Sequence, residues 1–179
     1  MNTYHQDTLS ALRPAAVGLA LAILTVLFGQ LLGIVFGLNE EAIRGRLQAS
    51  AAQVRDTVYH GDEAAIKTVQ EKSWTYMKRA HLHAGSMGTT AIALSVLVSL
   101  VGLSRMATTA ISLGLGAGGL GYSVFWMWAG FLAPHLGGTG AAKESLRWLA
   151  IPSSGAFVLA TTAALVGLLT LLVRPRSEK

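Results

Sequence analysis

Apolar residues dominate four long stretches of the chain, 14–39, 80–104, 106–142 and 148–173, none of which contains Asp, Glu, Lys or Arg. Each is at least as long as the roughly 20 residues an apolar helix needs to cross a bilayer. The third is longer than one helix needs, and Pro134 marks its end, because the residue before a proline is pushed out of helical geometry. The pattern therefore predicts spans over 14–38, 80–103, 107–133 and 150–173. Pro14 and Pro152 fall near the starts of the first and last spans, where a missing amide is tolerated.

Between the first two spans, residues 39–79 are hydrophilic, with apolar positions recurring at helical spacing: Ile43, Leu47, Val54 and Val58, then Ile66, Val69, Trp74 and Met77. Asn39 with Glu40 and Glu41 reads as a helix start or a break followed by a restart. Gly61 ends that segment, and Asp62 with Glu63 begins another. The expected architecture is all-α: a four-span transmembrane helical bundle with an extramembrane amphipathic helical hairpin between spans one and two. The first span is too long and glycine-rich for a cleaved signal peptide.

Composition agrees. The chain has 179 residues, 52% apolar and 13% charged, with mean hydropathy +0.50. The net charge is +5, yet the basic residues form no continuous stripe, so a nucleic-acid surface is not expected. No cysteine is present, which removes disulfides and thiolate chemistry. The expected setting is integral to a membrane, with a bacterial cytoplasmic membrane as the assignment. Orientation stays open: the hairpin and the loop after span three hold most of the basic residues, while the flanks of span one conflict.

Gly29, Gly33 and Gly37 form a GxxxGxxxG ladder in span one, a surface on which another helix can pack closely. Self-association, or association with other membrane subunits, is expected through this face. Gly114, Gly116, Gly118, Gly119 and Gly121 crowd span three. They contain a GxGxxG string, but no strand precedes it, so a dinucleotide site is not expected. The segment around Lys143 departs from a phosphate-binding loop, since Ala142 and Glu144 flank the lysine.

Five histidines remain as candidate chemistry. His5 and His60 read as solvated. His81 and His83 open span two and His135 closes span three, so an antiparallel pair of spans gathers these three imidazoles near one face. A b-type haem wants axial ligands on facing helices. His135 serves one side and His81 or His83 the other, with Lys78 and Arg79 placed for the propionates. His83 and Met87 share a helix face, which leaves copper as a second choice. Tyr122, Phe125, Trp126, Trp128 and Phe131 either wall a pocket or form an interfacial belt. Structural histidines at the interface are the plain alternative.

Arg79-Ala80-His81-Leu82-His83, with Gly88 five residues on, resembles the AHxHxxxxG element of haem-copper-oxidase-like and nitric oxide reductase-like membrane proteins. In that superfamily a histidine opening an early span ligates a low-spin haem. The resemblance covers about ten residues. Thr89 stands where an aromatic follows the glycine, and Ala84 and Gly85 replace a polar position. It implies a haem-binding relative, not a reductase, because too few histidines exist for the full metal constellation. The expected function is haem b (or copper) binding near one membrane face, in electron transfer or within a membrane redox complex. The alternative is a cofactor-free accessory or assembly subunit. A transporter is disfavoured, since no charged residue lies mid-span, and no catalytic pair is evident.

Overall fold

A computed structural model describes residues 10–173. A short 3-10 turn, Arg13–Ala15, leads into α1 (Ala16–Ala52). It is followed by α2 (Glu63–Leu100), α3 (Arg105–Leu132), the short α4 (Thr139–Ser145) and α5 (Arg147–Val173). No strand occurs among the described residues. Four helices are long and apolar enough to cross a membrane. His5 lies outside the described residues.

Local chemistry explains where the helices start and stop. Asp62 caps α2 by accepting from the Ala65 amide at 2.9 Å, directly after His60 and Gly61 turn the chain at positive φ. Ser104 caps α3 in the same way, accepting from Ala107 at 3.2 Å after Gly102 at φ 74°. At its far end α3 stops at Leu132, two residues before Pro134. Asn39 leaves helical geometry (φ −132°, ψ 25°), so α1 is two helical segments joined at a kink, the break and restart expected at this position. Residues 40–52 and 63–79 are helical, the first beyond the Asn39 kink and the second continuous with the rest of α2. Pro152 lies well inside α5, which begins at Arg147, so its absent amide leaves the Trp148 carbonyl outside the helical ladder.

The long helices run alternately up and down, and α3 is the hub. It packs on α1, α2 and α5, whereas α5 rests chiefly on α3. Glycines on three sides of α3 make this possible. A methyl group at Gly116 would collide with the Gly18 carbonyl of α1. At Gly118 it would lie 2.7 Å from the Ser153 carbonyl of α5, and at Gly130 2.6 Å from the Met77 side chain of α2. Contacts this short need glycine, because side chains elsewhere hold backbones apart.

The interior changes character along the bundle. One half is built from small residues, Ala22, Ala91, Ala160 and Ala164 around Leu115 and Val98. The half beside the hairpin is aromatic, with Phe36, Trp74 and Trp126 packed around Met77. Large apolar side chains point outward: Leu38 is 79% exposed and Leu159 72%. A molecule with so much outward apolar surface has the pattern of one solvated by apolar chains.

The ladder of span one divides. Gly29 packs against Ala84 and Gly85 of α2, and Gly33 lies under the His81 ring, so this face is occupied within the chain itself. Gly37 meets nothing within 4 Å. Gly116→Leu should therefore destabilise the protein by about 1–3 kcal/mol through overpacking, read as a lowered thermal midpoint in detergent. Gly37→Leu should leave the midpoint unchanged. Equal midpoints for both variants would contradict the hub arrangement.

Candidate functional site

Two residues apart on a helix means about 200° of rotation, so His81 and His83 face different neighbours. His81 turns to α1, where its Nδ1 lies 2.7 Å from the Gly29 carbonyl oxygen. A carbonyl only accepts, so Nδ1 carries the proton and donates. The bond crosses between α1 and α2 at the point where Gly33 makes room for the ring.

His83 turns to α3. Its ring stacks on Trp126, with centroids 5.7 Å apart and planes at 27°, and touches Tyr122 at 5.3 Å. Neither ring nitrogen has a hydrogen bond to any of the described residues. The Trp126 indole is edge-on to Tyr76 at 4.8 Å, and the Arg79 guanidinium lies 5.1 Å above it and 5.3 Å above Tyr76. Trp126 Nε1–H is buried with no partner. A buried donor left unpaired costs about 1–3 kcal/mol, so a donor and an imidazole both stand unused in one aromatic cluster.

Tyr122 and Trp126 also wall a cleft of about 620 Å³ between α3 and the start of α5. Lys143 of α4 and Arg147 of α5 give it a cationic rim, while Ile151 and Ser154 line its far side. Glu144 also lines the cleft and pairs with Arg147 at 3.3 Å on the surface, an exposed contact that leaves the guanidinium largely in solvent. The cleft lies where α3, α4 and the first turns of α5 meet.

The gathering of three imidazoles is not observed. Tyr122 and Trp126 lie level with His83, but α3 runs on to Leu132 beside Ser73 and Met77. His135 comes after that end, exposed in the following turn, roughly 10 Å or more farther along the axis. Its neighbour Pro134 accepts a 2.7 Å hydrogen bond from the Tyr59 hydroxyl, in the turn between α1 and α2. His81 faces α1, His83 faces α3 and His135 sits beside the turn between α1 and α2. Met87 does share the α3-facing side of α2 with His83, its Cβ 3.5 Å from where a Cβ on Gly119 would be. No group of three His, Asp or Glu among the described residues is placed to hold a metal ion.

The sequence singles out Arg79, the aromatic residues and the Lys143–Arg147 pair, but not Ile151 and Ser154 of the far wall. Arg147, Ile151 and Ser154 recur at helical spacing on one face of α5, a signal available in the sequence. The bond from His81 to a backbone carbonyl left no such signal. Comparison with family models, curated proteins and solved structures finds no match for this chain.

Removing the His81 bond in His81→Ala should lower stability by about 1 kcal/mol, the scale of interhelical hydrogen bonds between apolar helices. His135→Ala should be neutral in the same thermal assay. The Tyr59 phenol is pushed above its ordinary value by burial. Its contact therefore contributes below the unfolded pKa of about 10 and is lost as pH rises through the higher folded value. Alkaline titration should loosen this turn in the wild type, and Tyr59→Phe should remove that pH dependence; retention of it in Tyr59→Phe would assign it elsewhere.

Proposed function

We propose that the four apolar helices cross a bilayer, a bacterial cytoplasmic membrane, and that the protein binds a b-type haem at the aromatic cleft near one membrane face. In this reading the arms of α1 and α2 beyond the spans form the extramembrane hairpin. The protein then acts in electron transfer, alone or as a subunit of a membrane redox complex. The observation that carries the reading is His83: an imidazole without a hydrogen bond, stacked on Trp126 and Tyr122, two residues that also wall the cleft.

The residues suit a flat ring with anionic arms. His83 offers one axial nitrogen, and Tyr122, Phe125 and Trp126 offer planar apolar surface. Arg79 lies over Trp126 on one side, and Lys143 and Arg147 stand on the cleft rim, where carboxylate arms meet water. The unpaired Trp126 Nε1–H is a donor that such an arm satisfies. With one imidazole available, ligation is from a single side, unlike the two-histidine arrangement expected from the sequence. A bound haem supplies one-electron redox chemistry; the chain supplies orientation, an aromatic surround and charge neutralisation.

The test is the absorption spectrum of detergent-purified protein from cells supplied with haem, oxidised and then reduced with dithionite. A Soret band that sharpens on reduction is expected, lost in His83→Ala and kept in His135→Ala. Loss in His135→Ala instead would overturn the one-sided site. A colourless, metal-free preparation would overturn haem binding and favour the cofactor-free accessory subunit.

A further inference from the structure

A second pair of cations lies at the opposite end of the helices from the aromatic cleft. The turn Arg13–Ala15 opens α1, Arg105 opens α3, and the two starts are tied together by the Thr109 hydroxyl, which donates to the Pro14 carbonyl at 2.9 Å. Arg13 and Arg105 line one cavity of about 270 Å³, together with Ser10, Pro14 and Thr109. Three other guanidiniums find carboxylates, Arg44 on Glu40, Arg55 on Glu63 and Arg147 on Glu144, and Arg79 lies over Trp126 and Tyr76. Neither Arg13 nor Arg105 has an acidic partner among the described residues. Two like charges facing one cavity repel, and an anion between them reverses the sign of that interaction.

The geometry points to a binding site for a phosphate group, held between the Arg13 and Arg105 guanidiniums. The planar guanidinium fork matches two phosphate oxygens at once, which a halide ion cannot offer. The surroundings favour a phosphate carried by an anionic phospholipid. Met106 is 82% exposed and Val17 63%, so apolar surface continues from the rim of the cavity along both helices, where acyl chains would lie. Basic residues at such a boundary attract anionic headgroups. The site rests on the four helices crossing a bilayer and is independent of any cofactor.

The experiment uses the full chain. Resistance of the protein to alkaline carbonate extraction first establishes membrane integration, separately from lipid binding. Native mass spectrometry and thermal shifts then compare phosphatidylglycerol, phosphatidylcholine and inorganic phosphate as ligands of the purified protein. Retention of phosphatidylglycerol is expected, with at least about tenfold weaker binding in the Arg13→Gln/Arg105→Gln double variant, since charge-assisted bonds are removed from both sides. An Arg44→Gln/Arg46→Gln control at the other end should bind as wild type does. Should the glutamine pair fail to fold, Arg13→Lys/Arg105→Lys keeps the charge and removes the fork, and severalfold weaker binding is expected. Protection by inorganic phosphate equal to that by phosphatidylglycerol supports the phosphate site with the free ion as its source. Undiminished phosphatidylglycerol binding in a folded variant pair overturns the site.

Discussion

Backbone touching backbone is the contact on which the rest of this structure depends. Gly116 of α3 sits against the Gly18 carbonyl of α1, Gly118 against α5, and Gly130 against α2. In the bilayer proposed above no hydrophobic force drives two helices together, so close van der Waals approach has to do so. A helix can make such approaches in three directions only if three of its faces lack side chains. That is why one helix carries so many glycines, and why it became the hub.

From the hub follows the placement of the chemistry. α5 rests chiefly on α3 and hardly on α2, and a cleft opens where its first turns meet α3 and α4. Aromatic residues of α3 fill its floor where the glycines give way to Tyr122, Phe125 and Trp126. His83 packs on Tyr122 and Trp126 because the α2–α3 contact turns it there, and the same rotation sends His81 to the Gly29 carbonyl. One imidazole thus ties two helices together, while the other stands without a hydrogen bond beside a cleft. Their roles separate through helix rotation alone.

Much of this was legible along the chain where the determinants are local. Absence of charge marked the four apolar helices, Pro134 the end of α3, and Gly61 with Asp62 the turn before α2. The small-residue stripe at Gly29 and Gly33 was legible as a contact surface, but its partner was not: α2 of the same chain takes it. Axial register was illegible for a related reason. A helix without charges carries no mark of which turn lies level with a neighbour, so the two turns of α3 beyond Trp126 moved His135 away from His83. Register is set by which glycine meets which carbonyl, a property of pairs of helices.

Cysteine cross-linking in native membranes tests the hub most directly, because the chain has no cysteine of its own. A Cβ on Gly119 would lie 3.5 Å from the Met87 Cβ, within the span of a disulfide of about 3.5–4.5 Å. Mild oxidation of Met87→Cys/Gly119→Cys should give a rapid intramolecular disulfide, seen as a mobility shift of the monomer that reductant reverses. A doubly substituted chain that stays uncross-linked, or that links only between molecules, would contradict α3 as the centre of the fold.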